Sequence, residues 1–275
     1  MLRQRVITAL VLLPVVLGAV FLLPRLSFAV MAALFFLAAA WEWAGMTLRN
    51  ALLPRLLAVA ATAALMVLVE WQQPSWVLAL LPLWWLAAVA LIIAHPGLTG
   101  RWCRQPWLTP VGWLLLVPSW AALVHIQSTG AFGLSGPWAL LFILCWVWAA
   151  DTGAYFAGRA LGRHKLAPAV SPGKTLEGAT GGLLLAILVA AVVAWQGPVE
   201  TGERLLVLVV AVCTVLASIA GDLFESLVKR QRGVKDSGTM LPGHGGMLDR
   251  IDSLTAALPV AVMLMSWLSL PGGLS

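Results

Sequence analysis

Nine apolar runs, each near the ~20 residues needed to cross a hydrocarbon core, divide the sequence almost from end to end. They cover residues 6–23, 26–46, 56–69, 76–94, 107–126, 138–157, 179–195, 205–224 and 254–270. Only 10% of the residues are charged and 61% are hydrophobic, against about 25% and about 45–50% in an ordinary soluble domain. So few charges cannot cover a water-facing surface, and the excess apolar surface must face lipid. The chain is therefore predicted to be all-α, a polytopic membrane protein forming one integral membrane domain over residues 1–275. The 15 tryptophans against a single tyrosine agree, because an indole ring suits the headgroup level, where its apolar body and its N–H are both accommodated. The third run is the weakest, since Pro54 and Arg55 interrupt its start. Arg3 and Arg5 ahead of the first run imitate a signal peptide. That run is long for one and a second follows at once, so it reads as the first transmembrane helix.

The net charge of +6 sits in short loops between the apolar runs. It reads as topology and anionic ligands, not as nucleic-acid binding. With nine spans and a cytoplasmic N-terminus, all of the 17 lysines and arginines except Arg25 and Arg204 fall on the cytoplasmic side. Cys103, Cys145 and Cys213 have no ligand or disulfide spacing. His95, His125 and His164 likewise read as interfacial. The polar residues gather in two cytoplasmic loops, about residues 158–178 and 229–253, and in the helix ends that feed them. Residues 1–135 read as scaffold and 136–275 as the half that carries the site.

The richest segment runs from Gly221 to Asp252 and holds the acids Asp222, Glu225, Asp236, Asp249 and Asp252 beside Lys229, Arg230, Arg232, Lys235 and Arg250. An acid within a membrane helix costs ~2.5–3.5 kcal/mol even on the mildest scale, so Asp222 implies a task. If the eighth helix continues through the interface, Asp222, Ser226 and Lys229 share one face. Pro242, Gly243, His244, Gly245 and Gly246 form a turn able to approach a ligand closely and offer N–H groups to anions. Asp249 and Asp252 follow, hard oxygen ligands suited to Mg²⁺ held together with phosphate oxygens. Lys229, Arg230, Lys235 and Arg250 suit the phosphates themselves. The bland alternative is a solvated loop with a helix-end salt bridge.

A second segment has Asp151 at membrane depth, then Ser171, Lys174 and Thr175, with hydroxyls and a cation that fit phosphate. Gly173-Lys174-Thr175 is not a P-loop, because Pro168 stands where the first glycine belongs and no strand is predicted ahead of it. The alternative reading is a turn in which Ser171 or Thr175 caps the next helix and Glu177 occupies its first turn. Glu42, within the second run, either pairs with a base or lines the cavity.

The segment from Ser226 to Asp252 resembles the motif of the phosphatidate cytidylyltransferases, or CDP-diacylglycerol synthases. Ser226, Lys229-Arg230, Lys235-Asp236, Pro242, His244-Gly245-Gly246, Asp249-Arg250 and Asp252 all stand at that family's spacings. Asp151-Thr152-Gly153-Ala154-Tyr155 and Ser171-Pro172-Gly173-Lys174-Thr175 are similar to it too, with Gly173 where the family pattern has a lysine. The resemblance implies that CTP and phosphatidate give CDP-diacylglycerol and pyrophosphate in a bacterial inner membrane, with Mg²⁺ required and K⁺ as a second metal. It implies metal ligation by Asp222, Asp249 and Asp252. It gives phosphate binding to Lys229, Arg230, Lys235, Arg250, Ser171, Lys174 and Thr175. Asp151, Ser226, Asp236, His244, Gly245 and Gly246 would line the substrates, and a homodimer is compatible with the sequence. A CDP-alcohol phosphotransferase would carry DGxxAR, which is absent here. Other membrane enzymes of similar chemistry, such as a polyprenol kinase, stay open. A transporter would spread its polar residues through both halves, often in inverted repeats.

Overall fold

The computed structural model describes residues 2–48, 51–94, 103, 106–243 and 245–274, with backbone alone for 2–9 and 12. His95, His244, Arg49, Arg101 and Arg104 lie outside the described residues. Helices follow one another as α1 (Leu2–Leu22), α2 (Arg25–Thr47), α3 (Leu52–Gln72), α4 (Ser75–Ala79), α5 (Trp84–Ile93), α6 (Leu108–Thr129) and α7 (Gly136–Leu161). A hairpin of β1 (Lys165–Ala167) and β2 (Ser171–Thr175) comes next, then α8 (Leu176–Gln196), α9 (Arg204–Gln231), α10 (Leu248–Ile251) and α11 (Leu254–Trp267).

The chain is an integral membrane protein built of helices. Among the described residues seven segments are long and apolar enough to cross a membrane: α2, α3, α4 with α5, α6, α7, α8 and α9. In α1 the described apolar stretch is the shorter Leu13–Leu22, and α11 has 14 residues. The expected third run starts earlier than its composition suggested. Pro54 falls in the first turn of α3, where its missing N–H has no intrahelical partner to lose. The fourth run is broken instead, by a short 3₁₀ turn at Leu81–Leu83 containing Pro82.

The helical expectation holds, with one local addition. The 158–178 segment is not a plain loop: α7 continues to Leu161, and β1 pairs antiparallel with β2, Lys165 opposite Thr175. Lys174 of the Gly-Lys-Thr triplet thus lies in a strand. The P-loop remains excluded, because that motif needs its glycine loop after a strand, not inside one.

Helices α7 and α8 approach most closely, and small residues explain why. The buried positions of α8 are Gly178, Gly182, Ala186, Ala190 and Ala194, one every fourth residue. A Cβ on Gly153 of α7 would come 2.7 Å from the Gly181 carbonyl oxygen, and one on Gly182 would run into the Ala150 carbonyl oxygen. In lipid, where apolar burial offers little drive, such close backbone packing is a main source of helix association. Gly182→Leu is expected to force the pair apart, at about 1–3 kcal/mol or more for overpacking, and lower the yield of folded protein. Thermal melting in detergent checks this.

Some buried polar groups find their partners on a neighbouring helix. Pro259 within α11 cannot donate to Thr255 O, and the Ser119 hydroxyl of α6 reaches that oxygen at 2.7 Å. At the C-terminus of α2, Arg232 donates from Nε to Met46 O (2.9 Å) and from a terminal nitrogen to Thr47 O (2.8 Å). A cation over the last carbonyls of a helix is favourable both as a cap and towards the helix dipole. This contact joins the C-terminal ends of α2 and α9. Cys103, Cys145 and Cys213 are all free thiols.

Candidate active site

A cavity of about 580 Å³ opens between α7, β2, α8 and α9, lined by Asp151, Tyr155 and Arg159 of α7, Lys174 and Thr175 of β2, Asp222 of α9 and Ser253. Small and apolar groups such as Ala150, Ala154, Leu166, Gly182 and Ile219 form the rest of its wall. The two sequence segments thus meet in one place. α9 runs unbroken to Gln231, so Asp222, Ser226 and Lys229 do share a helix face. Lys174 Nζ lies 2.6 Å from Asp222 Oδ2, and the Ser226 hydroxyl donates to Asp222 Oδ1 at 3.3 Å. Asp151 is within electrostatic reach of Asp222, Lys174 and Arg250.

Thr175 has a structural task as well, since its hydroxyl accepts from Gly178 N at 3.1 Å and caps α8. Glu177 sits in the first turn of α8 and fixes the hairpin end, accepting from Arg163 N (3.1 Å) and meeting His164 Nδ1 at 2.6 Å. Ser171 starts β2 and is half-buried.

Behind Asp222 lies a second cluster. Lys229 is buried, and its Nζ donates to Asp249 Oδ1 at 2.6 Å and lies 3.0 Å from Glu225 Oε1. The ammonium is thus held between two carboxylates, away from the lining of the cavity. Asp249 also accepts from Ser237 N (3.0 Å to Oδ2) and Gly246 N (2.8 Å). Burial opposes its charge, but the Lys229 hydrogen bond and the backbone N–H groups outweigh it and hold its pKa below the usual carboxylate range. Asp252 faces the other way in charge terms. Burial and the neighbouring Asp222 push it up to about 7, and its carboxylate accepts from Ser253 N at 2.7 Å. Gly221 makes this closeness possible, since a Cβ there would stand 2.6 Å from Asp252 O.

The remaining expected residues are more exposed. Arg230 donates to Val234 O at 3.2 Å, and Lys235, Asp236 and Arg250 are exposed near the same end of α9. Gly245 has φ +84°, a left-handed conformation that favours glycine. Sequence reading assigned no role to three polar groups that the fold brings in. Glu225 could have been found, as it stands three residues after Asp222 and four before Lys229, on the same face. Arg159 could too, one turn beyond Tyr155, whose hydroxyl it contacts at 3.0 Å. Ser237 carries no local signal.

Among the described residues no three Asp, Glu, His or Cys side chains converge into a ready-made metal cage. The donor set still fits Mg²⁺, which is usually held by one or two carboxylates together with substrate phosphates and water. Asp151, Asp222, Glu225, Asp249 and Asp252 outnumber Arg159, Lys174, Lys229 and Arg250 in the two clusters. The Glu225 Oε2 atom is buried without a hydrogen-bond partner among the described groups.

The profile of the cytidylyltransferase family matches residues 3–268. The chain belongs to that family. It is similar to the phosphatidate cytidylyltransferase of Pseudomonas aeruginosa, 43% identical over 269 residues, 96% of this chain and 97% of that protein. The enzyme of the same description from Haemophilus influenzae is 37% identical over 278 residues, 94% of this chain and 96% of that protein. With that of Bacillus subtilis the likeness is 39% over 147 residues, 53% of each chain. The family's match spans both halves, including the helices in which the sequence showed only hydropathy.

Proposed function

We propose that this chain transfers the cytidylyl group of CTP to phosphatidate, giving CDP-diacylglycerol and pyrophosphate in phospholipid synthesis. The observation that carries the reading is the single cavity in which Asp151, Asp222 and Lys174 meet at the end of apolar, closely packed helices. An oxygen of the lipid phosphate attacks the α-phosphorus of CTP. A new P–O bond forms there, the bond to the bridging oxygen of the β-phosphate breaks, and pyrophosphate leaves. A phosphate monoester is largely ionised near neutrality, so the protein need not supply a strong base. Its contribution is positioning and charge stabilisation.

Lys174 and Arg159 both line the cavity and suit the phosphates there. Arg230, Lys235 and Arg250 offer cations at the aqueous end for CTP, with Ser171, Thr175, Asp236 and Gly245 around it, and the motif assigns His244 to the same substrates. Lys229 acts through Asp249, which it holds. Asp222, Asp249 and Asp252 are the residues that would hold Mg²⁺, with K⁺ as the second metal; the chemistry a metal would bring is neutralisation of phosphate charge. Chelation by EDTA is expected to abolish turnover, and excess Mg²⁺ to restore it. Full activity in EDTA would remove the metal from the account.

The membrane reading extends to nine spans, with α1 and α11 added to the seven and α4–α5 counted as one interrupted span. Arg25 and Arg204 begin α2 and α9, whose far ends meet through Arg232. Both therefore share the side opposite the site, as expected for a site facing the cytoplasm of a bacterial inner membrane. Residues 136–275 supply the groups that face the substrates, on a scaffold of residues 1–135. The test is mass spectrometry of the lipid after incubation with CTP and phosphatidate. Phosphatidate heavier by one cytidylyl group (cytidine monophosphate less one water) is the expected product, and unchanged lipid would overturn the reading.

A further inference from the structure

Glu42 is the one acid of α2, and it is 3% exposed. It forms no ion pair within 4.0 Å among the described residues, though Arg55 lies within electrostatic reach. Its Oε2 instead accepts two hydrogen bonds, from the Ser237 hydroxyl and from Leu248 N, each at 2.9 Å. These donors lie at the two ends of the segment that cradles Asp249. Ser237 turns its own N–H to both Asp249 oxygens, at 3.2 and 3.0 Å. Leu248 immediately precedes Asp249, and Gly246 N donates to it at 2.8 Å. One carboxylate oxygen thus ties together both ends of the loop.

Two glycines admit it. A Cβ on Gly238 would run into Glu42 Oε1, and one on Gly246 would run into Glu42 Oε2 and the Ser237 hydroxyl. Gly246 therefore serves the approach of α2, where its sequence context suggested approach to a ligand. Arg232, gripping the last carbonyls of α2, anchors the start of the same loop.

We propose that Glu42 is a positioning residue for Asp249: by accepting from Ser237 and Leu248 at one oxygen, it sets the loop that aims the Asp249 carboxylate. The proposal rests on the reading of Asp249 as a metal-holding residue. Buried polar partners that orient a ligating group typically change activity or metal affinity by about 10- to 100-fold when removed. Glu42 reaches this role from the other half of the chain, and it is not part of the lining of the cavity that holds Asp222 and Lys174.

The test uses the full chain in detergent, comparing Glu42→Ala, Glu42→Gln and Asp249→Asn. Glu42→Ala is expected to lower kcat by about 10- to 100-fold and raise the half-saturating Mg²⁺ concentration, with KM for phosphatidate unchanged. A glutamine amide oxygen can accept both hydrogen bonds, so Glu42→Gln should recover most of the loss. Amide hydrogen exchange on the metal-free protein should rise in residues 237–249 of the alanine variant, while α7 and α8 stay protected. Near-parental kcat and Mg²⁺ requirement in Glu42→Ala, beside an inactive Asp249→Asn, would overturn the proposal. Exchange rising through the whole bundle, or a glutamine variant as damaged as the alanine one, would overturn it equally. An active Asp249→Asn would instead remove the metal reading beneath it, and that result does not involve Glu42.

Discussion

Asp249→Asn is expected to leave a folded protein that has lost at least about a thousandfold in turnover, about 4 kcal/mol of barrier. The carboxylate of Asp249 is oriented by its donors, with Lys229 Nζ at 2.6 Å and the N–H groups of Ser237 and Gly246 around it. An asparagine fits the space but removes the charge. It also turns an amide N–H₂ towards groups that are all donors, so the cradle must rearrange. Lys229 keeps Glu225 as a partner at 3.0 Å, which limits the harm to folding. Initial rates beside a melting curve separate the two effects. Activity within tenfold of the parent would place the metal elsewhere.

The second large effect is expected at Lys174. Its ammonium sits 2.6 Å from Asp222 inside the cavity, where a CTP or lipid phosphate would compete for it. Lys174→Met removes a charge-assisted contact of about 1.5–3 kcal/mol, so kcat/KM should fall about 10- to 100-fold. Lys174→Arg should fall less, since the charge remains and only its geometry changes. Because Lys174 and Asp222 touch, the double variant Lys174→Met/Asp222→Asn should cost less than the sum of the single ones. Strict additivity would mean that the ion pair is incidental to catalysis.

The helices were legible in the sequence because a spanning segment is continuous and apolar. The face shared by Asp222, Ser226 and Lys229 was legible because periodicity fixes it once the helix is known to continue. The hairpin was not: Ser171–Thr175 is five residues containing proline and glycine, and no alternation marks it as a strand. Nor was the division between Asp249 and Asp252. Their spacing suggested one shared ligand pair, but α10 is a single turn, and Asp249 turns into the loop while Asp252 lies beside Asp222. Lys229 read as a phosphate ligand because cations mixed with acids at that density suit a metal–phosphate site. What turned it inwards is the pair of acids Glu225 and Asp249, and the second of these arrives only through folding. Glu42 is the clearest case. Its partners Ser237 and Leu248 lie 195 and 206 residues away, and nothing local to α2 announces them.

The most direct measurement follows both ends of CTP at once. The purified protein receives phosphatidate, Mg²⁺, K⁺ and CTP carrying one label in the cytosine ring and another on the γ-phosphate. The account predicts ring label in the lipid phase and γ label in aqueous pyrophosphate, in equal amounts, and neither transfer in Asp249→Asn. Label from the γ-phosphate in the lipid would mean a kinase, and ring label absent from the lipid would contradict cytidylyl transfer altogether.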